Sequence, residues 1–92
     1  MTENIYKINV NVHIEAFDEG ALILRMPDRN IFQFNLTALK VLELTDGIHD
    51  VKEISSVIAK DYHISQNEAV VDVLSLYNQL LDQKIVEEVN SY

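Results

Sequence analysis

The sequence predicts an α+β domain in which three antiparallel strands are followed by three helices. Two observations carry this prediction. Apolar and polar residues alternate in the first third of the chain, and apolar residues recur every three or four positions after Asn35. The chain has 92 residues, two glycines and one proline, so we expect residues 1–92 to form a single packed domain.

The first strand is predicted from Tyr6 to Ala16, because apolar and polar side chains alternate strictly there. A turn through Gly20, which can adopt a positive φ, leads to a second strand from Ala21 to Met26. A turn that contains Pro27 leads to a short third strand from Ile31 to Asn35. Strands joined by such short connections pair as an antiparallel meander.

The first two helices are predicted from their end signals. Asn35 suits the N-cap of the first helix, and Gly47 suits the left-handed residue that ends it. Asp50 and Glu53 have the spacing of a capping box, which opens a second helix over residues 51–62.

Ser65 and Glu68 repeat the capping-box spacing and open the longest helix, residues 66–83. Its apolar residues cover roughly 160°, which is wider than the ~100° needed for packing on one side. Either this helix is wedged between two packed elements, or one cluster serves the core and the other lines a groove for an apolar ligand. The two clusters are Val70, Leu74, Tyr77 and Leu81, and Ala69, Val73, Leu76 and Leu80.

The third strand is last in the meander, so one of its edges lacks a predicted partner. Residues 31–35 contain no Lys and no Pro, which are residues that often protect an exposed edge. This edge is a template for a visiting strand. There are two alternatives. The edge is covered by residues 85–89, which form either a terminal strand or a tail, or it is covered by a second copy of the chain.

Charge is distributed unevenly along the chain, whose net charge is −8. Residues 43–92 hold ten acids and three bases, whereas residues 1–42 hold five acids and four bases. Such a field repels phosphate backbones and anionic membranes, so we expect neither nucleic acid nor a membrane as a partner. The acids are either solvated surface or a means of steering a basic peptide or enzyme.

Catalytic, metal and cofactor motifs are not apparent. The chain has no cysteine, which is consistent with the cytoplasm and excludes disulfides and Cys-based metal sites. His49 lies between Asp46 and Asp50, but this spacing matches no metal-ligand pattern, and a turn and a helix cap explain both acids. We therefore expect no catalytic residue, no metal and no cofactor.

The order of several short motifs resembles the PqqD family. Each motif alone is weak, but the ordered set spans residues 8–88 and is fairly specific. One departure is Lys84, where many relatives have glycine, and it leaves the end of the third helix uncertain. The motifs are Phe34-Asn35-Leu36-Thr37-Ala38, Leu42-x-Leu44-x-Asp46-Gly47, Val51-x-Glu53-Ile54, Tyr62, Glu68-x-x-x-Asp72-Val73, Leu80 and Ile85-Val86.

The resemblance implies a winged-helix-like fold without catalysis, known as a RiPP recognition element. Such domains bind the leader region of a ribosomally made precursor peptide and serve a modifying enzyme, such as a radical-SAM or lasso-peptide enzyme, or a leader peptidase. The leader adds as an antiparallel strand to strand three, in a cleft closed by helix three. The residues implied here are Asn30, Ile31, Phe32, Gln33, Phe34 and Asn35 on the strand, and Val70, Val73, Leu74 and Tyr77 on the helix.

Three questions stay open in the sequence. Phe32 and Phe34 share one face of strand three, Ile31 and Gln33 share the other, and the pattern does not tell which face meets the groove. A winged helix also suits nucleic-acid binding, although helix three offers no Lys or Arg before Lys84. An open edge also suits a structural subunit that forms a homodimer through strand three.

Overall fold

The computed structural model describes residues 4–89, which contain six strands and three helices. The α+β class, the three helices and the antiparallel pairing are confirmed, but the strands form two sheets of three rather than one. The elements are β1 (Ile5–Ile8), β2 (Val12–Phe17), β3 (Gly20–Arg25), β4 (Asn30–Asn35), α1 (Leu36–Leu44), β5 (Asp46–Asp50), α2 (Val51–Tyr62), α3 (Gln66–Asp82) and β6 (Val86–Glu88).

The predicted first strand is wrong in one respect, because it is two strands that belong to different sheets. A turn separates β1 from β2, and the Val12 N–H donates to the Asn9 carbonyl at 3.2 Å. The side-chain amide of Asn9 donates to the Lys84 carbonyl, and the side-chain amide of Asn11 donates to the Met26 carbonyl, each at 2.6 Å. Each strand buries one face, whichever sheet it joins, but Val10, the apolar residue of the turn between them, is 99% exposed.

Strands β2, β3 and β4 form the predicted antiparallel meander, in that order, and we call it the wing sheet. A two-residue turn joins β2 to β3 and places Phe17 opposite Gly20. The register of β3 and β4 runs from Arg25 opposite Asn30 to Gly20 opposite Asn35. Strand β4 therefore lies at the margin of the wing sheet.

The second sheet has the order β5-β1-β6 and contains one strand that the sequence did not predict. Gly47 has the expected positive φ, +81°, but it lies within β5 rather than in a helix-ending turn. The C-terminal segment forms a strand, β6, and it pairs with β1, with Tyr6 opposite Glu88. It therefore does not cover the edge of β4.

The predicted helix starts are confirmed. The Asn35 side chain accepts the Ala38 N–H at 2.9 Å, and Asp50 and Glu53 form both hydrogen bonds of a capping box. The Ser65 hydroxyl accepts the Glu68 N–H at 3.1 Å. Helix α3 ends at Asp82, and Lys84 has a φ of +59°, the left-handed conformation that glycine adopts at the least cost.

The core lies where the helices meet the inner faces of the two sheets. Helix α1 packs against β3 and β4, and α2 packs against α3. None of the helices within residues 4–89 combines the length and the apolar character needed to cross a bilayer. The buried apolar cluster consists of Tyr6, Ile23, Val41, Leu42, Val51, Ile54, Ile58, Ala69, Val73, Tyr77, Leu80, Ile85 and Val86.

Gly20 allows β3 to approach the end of β4, and we predict that Gly20→Ala destabilises the fold. A Cβ atom there would lie 1.9 Å from the Phe34 carbonyl oxygen, so the strands would have to separate. We expect a loss of about 2–4 kcal/mol in the free energy of unfolding, measured by urea denaturation, because the clash adds to the cost of a side chain at a φ of +156°. Gly47→Ala is the control, because its nearest neighbour would be 3.6 Å away, and we expect it to cost about 1 kcal/mol, from its positive φ alone. Equal losses in the two variants would contradict the close approach.

Candidate functional site

The hydrogen bonds of the wing sheet determine which backbone groups of β3 face β4. The Met26 N–H donates to the Asn11 carbonyl at 2.9 Å, so the backbone groups of Met26 point toward the β2 side. Along an antiparallel strand, the backbone N–H and C=O groups of successive residues point alternately to the two neighbouring strands. The even-numbered residues of β3 therefore bond to β2, and the odd-numbered residues bond to β4.

The outer edge of β4 is unpaired. Phe32 stands opposite Ile23, so its backbone groups and those of Phe34 bond to β3. The N–H and C=O groups of Ile31 and Gln33 therefore point away from the sheet. Among residues 4–89 these groups have no hydrogen-bond partner, since β4 pairs with β3 alone. This margin is an open template for one more strand.

The other margin of the wing sheet, β2, is less accessible to a guest. The turn at its start occupies the outward Val12 N–H, through the bond to the Asn9 carbonyl. On the same strand, the Glu15 carboxylate lies 3.1 Å from the ring nitrogen Nε2 of His13, and both side chains are exposed. Charged side chains on an edge strand discourage pairing. Strand β4 is thus the freer of the two margins.

The side chains of β4 alternate between the core and solvent. Phe32 and Phe34 are half-buried and pack against the core. Ile31 and Gln33 are on the opposite face, and Ile31 is 69% exposed. The phenyl face of β4 is therefore the face that packs against the core.

A cavity of about 330 Å³ begins at Asn35, the last residue of β4, and extends to α3. Its floor is apolar, and its rim carries an amide, a hydroxyl and a carboxylate. The end of β4 at Asn35 therefore borders an apolar recess that lies between α1, α2 and α3. The lining residues are Ala38, Val41, Ile58, Val73 and Leu76 on the floor, and Asn35, Thr37 and Asp72 on the rim.

Helix α3 turns a different face to this cavity from the one predicted. Val73 lines the cavity, as do Leu76 and Asp72, which the predicted wall did not include. The fully buried residues of α3 form one stripe along the helix, and Leu76 lies at one border of it. Val70 and Leu74 are half-buried at the other border, more than about 100° around the helix from Leu76. A helical wheel separates the two apolar clusters, but it does not show which cluster faces β4.

Tyr77 is fully buried and presents no surface to a ligand, contrary to its predicted place in the wall. Its ring stacks on Tyr6, with 4.2 Å between ring centroids. The Thr45 hydroxyl donates to the Val41 carbonyl, so the Tyr77 hydroxyl donates to Thr45 Oγ1 at 2.6 Å. Burial raises the pKa of the Tyr77 hydroxyl, which stays neutral. Tyr77 therefore belongs to the buried core.

Arg25 connects the wing sheet to the C-terminal end of α3. Its guanidinium donates to the Gln83 carbonyl at 2.5 Å and lies 5.1 Å from the centroid of the Phe32 ring. It also donates to the Asp28 carboxylate, and this bond lowers the pKa of Asp28. The wing sheet and α3 are therefore joined at one end of β4, and the cavity lies at the other end. No sequence signal pointed to this long-range contact.

The cluster around His49 is structural. The Asp46 carboxylate accepts the N–H groups of Ile48 and His49, bonds that lower its pKa, and it contacts His49 Nδ1 at 2.7 Å. Asp50 caps α2. Within residues 4–89, no group of three or more His, Cys, Asp or Glu residues is placed to hold a metal ion.

Residues 20–86 match the family model described as "Coenzyme PQQ synthesis protein D (PqqD)". The chain belongs to the PqqD family. The matched range contains β3, β4 and all three helices, and therefore both sides of the cavity. Comparison with curated protein sequences gives no significant match.

Three solved structures share the fold of this PqqD-family chain. TbiB1 in complex with the TbiA(beta) leader peptide has a TM-score of 0.82 at 16% identity, covering 92% of this chain and 99% of that chain. Lasso peptide synthetase B1 complexed with the leader peptide has a TM-score of 0.80 at 16% identity, covering 89% and 96%. The PqqD truncation of Methylobacterium extorquens PqqCD, a RiPP recognition element solved by NMR, has a TM-score of 0.76 at 21% identity, covering 90% and 88%. The predicted winged-helix-like fold is confirmed.

Tyr77 should matter to stability rather than to ligand contact in this PqqD-family chain. Tyr77→Ala empties a fully buried aromatic site, and we expect a loss of about 3–5 kcal/mol in the free energy of unfolding. Tyr77→Phe removes only the bond to Thr45 and should cost about 1 kcal/mol. Urea denaturation of both variants measures this difference. A Tyr77→Ala variant as stable as the wild type would place this ring outside the core.

Proposed function

We propose that this PqqD-family domain binds the leader region of a ribosomally synthesised precursor peptide by strand addition to β4. The observation that carries the proposal is the unpaired edge of β4 beside an apolar cavity. Two of the structures that share the fold are complexes with leader peptides, which supports it. The domain acts by binding alone, in the cytoplasm, and presents the peptide to a modifying enzyme or a leader peptidase.

Backbone pairing supplies affinity without regard to the sequence of the peptide. Ile31 and Gln33 offer two N–H and two C=O groups to a guest strand. Each bond formed contributes about 0.5–1.5 kcal/mol net, because the free groups are hydrated before binding. Pairing alone is therefore too weak for tight binding once the peptide has been ordered.

Side-chain burial supplies the selectivity. The guest residues opposite Phe32 and Phe34 share the inner face of β4, so they point toward α3 and the cavity. Each apolar side chain buried there adds about 1.5–3 kcal/mol before ordering costs. The proposed site consists of Asn30–Asn35 on β4 and, on α3, of Val73 together with Asp72 and Leu76.

Nucleic-acid binding, the other function suggested by a winged-helix fold, is not favoured. Helix α3 carries Glu68, Asp72 and Asp82 and contains no Lys or Arg. Binding to a nucleic-acid backbone depends on Lys and Arg side chains that neutralise phosphates, and the three carboxylates of α3 repel the phosphates instead.

Gln33→Pro tests the proposed pairing, because its N–H points away from the sheet. Proline should remove one bond to the guest and leave the β3–β4 pairing intact. The guest carbonyl would then be left without a donor, so we expect about a tenfold loss of affinity for a leader peptide, measured by titration calorimetry.

Gln33→Ala is the matched control, since it also loses the side chain but keeps the N–H. We expect its affinity to stay within about threefold of the wild type, because the Gln33 side chain faces solvent. Thermal unfolding of both variants checks that the wing sheet remains folded. Wild-type affinity in a folded Gln33→Pro variant would contradict strand addition to β4.

A further inference from the structure

Asp72 stands out among the acids of α3 because it lies on the rim of the cavity. Its side chain is exposed, and none of residues 4–89 places a basic nitrogen within 4.0 Å of it. Other acids are neutralised locally, Asp28 by Arg25 and Asp61 by Lys40. The cavity thus combines an apolar floor with one carboxylate that has no counter-charge.

The register of a guest strand places its N-terminal end near Asp72. The wing sheet is antiparallel throughout, and an antiparallel guest on β4 begins beside Asn35. Its residue opposite Phe34 faces inward at the point where the cavity starts. The residue two positions earlier faces inward as well and lies beyond Asn35, on the side of the rim where Thr37 is found.

We infer that the site selects peptides in which an apolar residue is preceded, two positions earlier, by Lys or Arg. This inference rests on the proposed function and names the class of peptide that the site accepts. The apolar residue enters the cavity, and the basic residue pairs with Asp72. Lys and Arg suit this place because their aliphatic stems cover apolar surface while their charged ends reach a carboxylate.

The net charge of the domain also favours a basic residue at this guest position. Its net charge is −8, and α3 carries Glu68 and Asp82 besides Asp72. An acidic side chain at that guest position would meet like charge without a compensating base, so acidic residues should be depleted there.

A peptide-display selection tests this inference. A library of random twelve-residue peptides is selected against the wild-type chain and against Asp72→Asn and Asp72→Lys. We expect Lys or Arg at least fivefold enriched two positions before the apolar residue with the wild type. The enrichment should vanish with Asp72→Asn and change to Asp or Glu with Asp72→Lys. Glu87→Gln, which removes an exposed acid on β6, is the matched control and should select the wild-type pattern.

The outcomes separate this inference from the proposed function. If peptides are enriched but show no basic preference, or show the same preference with Asp72→Asn, the inference is wrong and strand addition stands. The inference is also wrong if the Asp72 variants lose affinity for all peptides to the same extent, because that is the effect of a carboxylate with a purely structural role. If no peptide is enriched, or if the selected peptides bind Gln33→Pro as tightly as the wild type, the proposed function fails and the inference fails with it.

Discussion

The site depends on where the C-terminal strand pairs. Strand β6 bonds to β1, which the turn at residues 9–11 has removed from the wing sheet. Asn9 and Asn11 hold that turn through the carbonyls of Lys84 and Met26. Since β6 is satisfied in the second sheet, β4 keeps a margin of unpaired backbone groups at Ile31 and Gln33.

An unprotected edge is a liability that folded proteins usually avoid. In the wing sheet the two margins differ, because β2 carries the acid Glu15 and an obstructing turn at its start, whereas β4 has no charged residue and no such turn. The free margin also leads to the cavity at Asn35, and the Arg25 contact with Gln83 joins the sheet to α3 at the other end. Under the proposed function, this combination lets a small domain hold an extended peptide on rigid elements.

Features set by local chemistry could be predicted from the sequence, and features set by distant partners could not. The caps at Asn35, Asp50 and Ser65 were predictable because their hydrogen bonds span three residues. The break between β1 and β2 was not, because alternation reports a buried face and not the sheet that buries it. For α3, the wheel gave two apolar clusters, and tertiary packing alone decided that Leu76 faces the cavity and Tyr77 the core.

Amide hydrogen exchange of the free chain tests the central claim most directly. The account predicts that the Ile31 and Gln33 amides exchange at nearly unprotected rates, while the neighbouring Phe32 and Phe34 amides are slowed by their bonds to β3. Adding the leader peptide should slow Ile31 and Gln33 selectively. Protection of all four amides in the free chain, unchanged on dilution, would mean that the edge of β4 is already covered within one molecule and would contradict the account.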